Sequence, residues 1–241
     1  MDWQAHRREA HALGRMQEFL KQIVYGGNDG IVTTFAIVAG FAGAQADGVA
    51  QIGGVAVLVF GLANLFADAV SMGLGEFLSM RSQHDLYRNR RASEMVEIMD
   101  DPEHERVELF EILRQRGIPA GEADTLVTIV ARHPEMMADL MMTYEFGMMD
   151  PDEDNPALSG FMTFISFVIF GSVPLIPYFL LEPTTQTFWL SVASTGAALV
   201  ALGIVRWSAT GERLVRTVGE TVLVGTVCAL VAFAVGAIVG G

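Results

Sequence analysis

Asn64-Leu-Phe-Ala-Asp68-Ala-Val-Ser-Met72-Gly-Leu-Gly-Glu76-Phe-Leu-Ser-Met80 is the stretch that decides how this chain folds. It begins inside an apolar segment and ends at the polar run Arg81 to Arg91, with no proline and no turn cluster between. That pattern predicts one long helix that leaves a membrane and continues into water. Asp68, Met72 and Glu76 are spaced four apart and share one helix face. An ionisable residue at membrane depth is costly and marks an ion or proton path. The competing reading makes Ser71, Gly73 and Gly75 packing residues and puts Asp68 near an interface.

Outward from this stretch, the composition is that of a polytopic membrane protein: 51% hydrophobic, with a mean hydropathy of +0.40. A spanning helix needs about 20 largely apolar residues. Five stretches qualify, at roughly 24–46, 49–75, 157–181, 188–205 and 218–239. All 15 lysines and arginines fall before the first, between the second and third, or between the fourth and fifth. The positive-inside rule then expects a cytoplasmic N-terminus and an outside C-terminus. The expected organisation is an interfacial helix in 1–23, spans one and two in 24–80, a polar domain in 81–156 and spans three to five in 157–241. Within the first segment, an amphipathic helix over residues 3–22 competes with a frayed tail. No cleavable signal is visible, which favours a bacterial plasma membrane over a vacuolar one. The net charge of −13 argues against nucleic acid as a partner, and the lone Cys228 has no disulfide partner.

Acid is concentrated in residues 81–156, which hold 18 of the 28 Asp and Glu residues against eight arginines. Asp100-Asp101-Pro102 ends the long helix. A second helix is expected over Glu103–Arg116, stopping at Gly117, and a third starts after Pro119 and breaks near His133-Pro134. The last is expected over Glu135–Met149. Glu94 and Glu97 share a face of the first helix. Glu105 and Glu108 share a face of the second, with Glu111 continuing the row, and Met141 and Glu145 share a face of the last. Carboxylates gathered in this way repel unless cations sit among them, and thioether sulfur shifts preference toward iron-like metals. The alternative is a solvated acidic face over a methionine-filled core. A membrane ferroxidase is a further alternative, weakened because no Glu-x-x-His motif occurs; the nearest is Asp101-x-x-His104.

Three features of the apolar segments remain. Asn28-Asp29-Gly30 is a turn signal running straight into apolar sequence, so Asp29 sits either at a cytoplasmic mouth or within the membrane, with a water-exposed cap as the competing reading. Pro174 and Pro177 distort the third span, shaping a path or simply a kink. Gly236-x-x-x-Gly240 is a weak signal for a dimer.

Asn28-Asp29-Gly-Ile-Val-Thr-Thr-Phe-Ala, Ser71-Met72-Gly-Leu-Gly-Glu-Phe-Leu-Ser, Met141-Met-Thr-Tyr-Glu145-Phe-Gly and Val173-Pro-Leu-Ile-Pro-Tyr178 resemble, in order, the vacuolar iron transporter family. The resemblance covers about residues 20–240. It implies five spans, a cytoplasmic three-helix metal-binding domain between spans two and three, a homodimer, and exchange of cytoplasmic Fe²⁺ or related divalent ions for protons. Carried over, the domain's ligands fall on Glu94, Glu97, Glu105, Glu108, Met141 and Glu145, and the membrane site on Asp29 and Met72. Where some relatives have a glutamate two turns before the methionine, this chain has Asn64; Asp68, one turn before it, is the candidate to compensate.

The expectation is therefore an all-α, five-span transporter exporting Fe²⁺ by proton antiport, with Mn²⁺ as an alternative main substrate and Zn²⁺ as a further ion the bundle would bind. It needs no catalytic cofactor and is not an enzyme. A membrane-anchored metal sensor or storage protein is the reading from another class.

Overall fold

The computed structural model describes residues 15–43, 50–151 and 155–240, and among them every regular element is helical. A helical turn at Arg15–Glu18 precedes α1 (Leu20–Gly43), α2 (Ala50–Asp100), α3 (Pro102–Gln115), α4 (Ala120–Val130) and α5 (Pro134–Tyr144). After these come α6 (Pro156–Ser172), a 3-10 turn at Val173–Leu175, α7 (Ile176–Leu180), α8 (Thr185–Thr210) and α9 (Leu214–Gly240). The chain divides into two compact units, one of residues up to Phe77 and from Ala157, the other Leu78–Pro156.

The decisive stretch is one helix, as its sequence predicts. At 51 residues, α2 would run for about 77 Å, against a hydrocarbon core of about 30 Å, so it must extend beyond a membrane. Four helical segments, Gly54–Asp100, Pro156–Leu180, Thr185–Thr210 and Leu214–Ile238, are long and apolar enough to cross one. The fifth expected span, α1, has 24 residues. It is not among these four because Asn28, Asp29 and its glycines dilute its apolar content. The expected fourth span is longer than its apolar run: Thr184 caps the start of α8 by accepting from the Thr187 N–H, and Gly211 ends it at φ 67°.

Much of the surface of these helices is apolar, with Val59, Phe60, Phe66, Leu74, Phe161, Ile169, Val227 and Leu230 all exposed. In water such an array would drive aggregation; toward lipid it costs nothing. Between the helices, tight packing does the holding. Gly26 and Gly30 of α1 lie against the backbone of α6, so that a Cβ on Gly26 would come 2.7 Å from the Thr163 carbonyl oxygen. Asn28-Asp29-Gly30 is consequently mid-helix and not a turn: its glycine serves close approach. Pro174 breaks the expected third span, and its carbonyl accepts from Ser191 Oγ at 2.7 Å, with Ser194 Oγ on the Val173 carbonyl at 3.3 Å. The kink is a packing joint. Gly236 abuts Gly40 of the same chain, so its small side serves α1–α9 contact within one molecule.

Two boundaries differ from expectation. Most of the expected N-terminal helix over residues 3–22 lies outside the described residues; what is described continues through Phe19, which is buried, into α1. The last helix of the polar unit stops at Tyr144 rather than Met149. The Phe146 and Met148 N–H groups turn back to the Met141 and Met142 carbonyls around Gly147 at φ 65°, a left-handed stop that only glycine adopts readily.

Candidate metal centre

In the unit Leu78–Pro156, local sequence sets each helix in place. Pro102 opens α3, and the Asp101 carboxylate caps it by accepting from the His104 N–H at 3.2 Å. Gly117 closes the connection to α4 at φ 90°, and Pro134 opens α5. Their apolar faces meet in a core of Ile98, Leu109, Val127, Met137, Ala138 and Met141, each large member contributing roughly 1.5–3 kcal/mol by burial. Arg91 ties the first helix to the last through Glu135 at 2.6 Å and Asp139 at 2.8 Å.

Two glutamates break this apolar rule. Glu94 of α2 is 1% exposed and Glu105 of α3 is 2% exposed. Glu94 Oε1 and Glu105 Oε2 are buried without a hydrogen-bond partner, an arrangement that costs free energy unless something positive sits there. Burial, then the neighbouring carboxylates of Glu105, Glu145 and Glu97, push the Glu94 carboxyl up to about 8. Burial also raises Glu105; its hydrogen bond with Glu94 opposes this, and Glu108 and Glu97 add to it. Glu145, just past the end of α5, is raised by desolvation, by Glu108 and Glu105, and lowered by Arg90.

Glu94, Glu105 and Glu145 thus each feel the charge of others among the five expected ligands. Their burial differs: Glu108 is half-buried, and Glu97 and Glu145 are exposed. Among the described residues, no three Asp, Glu, His or Cys side chains stand close enough together to hold a metal ion as placed. Met141 and the adjacent Met142 are fully buried, so the expected thioether is part of the apolar core as well.

In the other unit, α1 and α2 position the remaining candidates. Asn64 Nδ2 donates to Asp68 Oδ2 at 2.6 Å, and Asp29, half-buried on α1, lies within electrostatic reach of Asp68. The Asn64 amide is therefore bound to the acid one turn on. Asn64 also lines an apolar groove of about 840 Å³ formed by α1, α2 and α9. Met72 lies instead among Leu65, Ala69, Phe164 and Phe167. The two glycines of the opening stretch that the competing reading makes packing residues differ. Gly73 packs against α6, where a Cβ would meet the Gly160 carbonyl oxygen at 2.9 Å, whereas Gly75 faces open space.

Two features were missed in the sequence. His104 Nε2 lies 3.3 Å from Glu108 Oε1; the four-residue spacing on one helix face is the signal for it. Glu76 is held by Lys21 and Gln22 of α1, a long-range contact that no local pattern announces.

Residues 20–237 match the model of the VIT family. The chain is 33% identical over 234 residues to vacuolar iron transporter 1 of Arabidopsis thaliana, covering 97% of this chain and 90% of that protein. It is 32% identical over 216 residues to vacuolar iron transporter 1 of Oryza sativa subsp. japonica, covering 90% and 83%. It is also 32% identical over 237 residues to the vacuolar iron transporter of Plasmodium berghei (strain Anka), covering 95% and 84%. These relatives are named as transporters and not as enzymes. With its apolar helices and this match over most of its length, the chain is a multi-pass membrane protein and belongs to the VIT family.

Proposed function

We propose that this chain is a divalent-metal transporter that moves Fe²⁺, and related ions such as Mn²⁺, out of the cytoplasm in exchange for protons. Its relatives carry the name of iron transporters over nearly the same length. The observation that carries the reading is the buried, partly unpartnered Glu94–Glu105 pair with three further carboxylates in electrostatic reach. A divalent cation draws Glu97, Glu108 and Glu145 onto that pair and relieves their repulsion. Met141 and Met142 supply sulfur, and His104 offers a nitrogen beside Glu108. In the membrane, α1 completes five spans, and Asp29 with Met72, supported by Asp68 and Asn64, forms the route. Asp29 takes a metal in one charge state and a proton in the other, which is what exchange requires. The N-terminus and the polar unit are cytoplasmic, the C-terminus is outside, and the working form is a homodimer.

Metal influx into proteoliposomes containing a pH dye tests this. Asp29→Asn is expected to reduce coupled metal and proton movement at least about a hundredfold, the scale of a lost central charged group. The same variant keeps metal binding by the polar unit. Normal coupled flux in Asp29→Asn overturns the route, and binding without any flux in the natural chain points to storage or sensing.

A further inference from the structure

Glu76 stands one turn beyond Met72 on α2, and its side chain is 12% exposed. Two residues of α1 converge on it: Lys21 Nζ lies 3.1 Å from Glu76 Oε1, and Gln22 Nε2 donates to the same oxygen at 3.0 Å. The two differ in a way that matters. Lys21 is 71% exposed at its side chain, so its ammonium reaches in from the water on a flexible stem. Gln22 is 7% exposed, and its Oε1 is buried without a partner. A half-turn of that amide exchanges its nitrogen for its oxygen and aims a carbonyl where an N–H now meets Glu76. Carboxylate and amide oxygens together suit a hard or borderline divalent cation. A cationic group is already there, tethered to the chain.

We propose that Glu76 and Gln22 form a further divalent-cation site in the transmembrane unit, which the Lys21 ammonium occupies until a metal ion displaces it. The proposal rests on the transport reading and adds a threshold to it. Lys21 competes with the arriving ion, and its release into water is easy because most of its side chain is already solvated. Gln22 turns its oxygen inward once the ion replaces the ammonium, satisfying a buried atom that otherwise lacks a donor.

The test uses the full chain with Mn²⁺ as probe, its binding read by the electron paramagnetic resonance of the free ion and its transport by influx into liposomes. Lys21→Gln is expected to tighten one Mn²⁺ site by about fivefold and lower the KM for influx by a similar factor, the scale of one exposed ion pair. Glu76→Gln loses that site, and the double variant matches Glu76→Gln alone. Lys21→Arg keeps natural behaviour, and Gln22→Leu weakens the site while leaving Lys21 in place. Should Glu76→Gln fail to fold by thermal melting, Lys21→Gln against Lys21→Arg still decides, since Lys21 is at the surface. Unchanged Mn²⁺ affinity and KM in Lys21→Gln, or a tightening that persists without Glu76, overturns the site. Binding that depends on Glu76 in a chain that moves no Mn²⁺ keeps the site and sinks the transport reading. Normal flux without such binding does the reverse.

Discussion

Between the helices of the transmembrane unit, the buried polar side chains are neutral: Gln22, Thr34, Ser159, Thr163, Ser166, Thr187, Ser191, Thr195, Thr217 and Thr221. Between those of the unit 78–156 they are two glutamates, Glu94 and Glu105. In the first unit, hydroxyls settle their own demands locally, as when Thr163, Thr195 and Thr221 each donate to the carbonyl four residues back. In the second, buried carboxylate oxygens are left over, where the first leaves neutral ones at Gln22 Oε1 and Thr34 Oγ1. Large apolar side chains are exposed in both units, as at Val59, Phe161 and Leu230 in the first and at Val96, Val107 and Ile129 in the second. The contrast is one of charge: the first unit fully buries neutral groups, and the second fully buries two carboxylates whose oxygens lack partners.

The strongest way to break that contrast is to neutralise the pair. Glu94→Gln with Glu105→Gln is expected to weaken Mn²⁺ binding by the full chain up to about a hundredfold, the range for a disrupted ligand set. With metal chelated and above pH 8, the same variant should melt at a higher temperature, because two carboxylates are no longer ionised side by side in the interior. Calorimetry and melting curves check both. Unchanged affinity would return these acids to an ordinary acidic face and erase the contrast.

Acidity sharpens it next. The folded pKa of Glu94 lies above the ordinary 4.5, at about 8, so the native state holds this proton more tightly than the unfolded chain. Its contribution to stability is fully present below 4.5 and is lost as pH rises through about 8. Without metal, melting temperature should fall across that window. Mn²⁺ affinity should rise instead, by up to about tenfold per pH unit, because the ion displaces the proton. A pH-independent affinity would show that no proton is displaced. In the transmembrane unit, paired substitutions test packing against open space. Gly73→Val should cost about 1–3 kcal/mol by overpacking against α6, while Gly75→Ala should be neutral or stabilising by about 0.5–1 kcal/mol. Equal effects in a denaturation series would contradict the close contact. The smallest expected change is Ser191→Ala, which strips the Pro174 carbonyl of its donor for about 0.6 kcal/mol.

How far these features could be read in advance depends on their range along the chain. The helix through Asp68, Met72 and Glu76, its end at Asp100 and the break at Pro174 were legible because period, charge and proline act within a few residues. Asn28-Asp29-Gly30 was misleading for the same reason: its local preference is a turn, and contact with α6, more than a hundred positions away, overrides it. The helix expected to run to Met149 stops short because the lone Gly147, at φ 65°, is enough to end it. The acid rows were visible in 94–108, yet which acids are buried was not. Spacing assigns a face, whereas burial depends on what the neighbouring helices bring, and only Glu94 and Glu105 meet inside. Lys21, Gln22 and Glu76 come together across 55 and 54 positions, beyond the reach of any local pattern.

Where α2 crosses α6, Gly73 faces Gly160, and each leaves no room for a Cβ on the other. In most packed cores a larger residue on one side can be accommodated over generations by a smaller one opposite. Here both partners are already the smallest residue there is, so no second substitution can rescue the first. A lineage that keeps this crossing keeps both glycines together, and one that loses either must move the two helices apart.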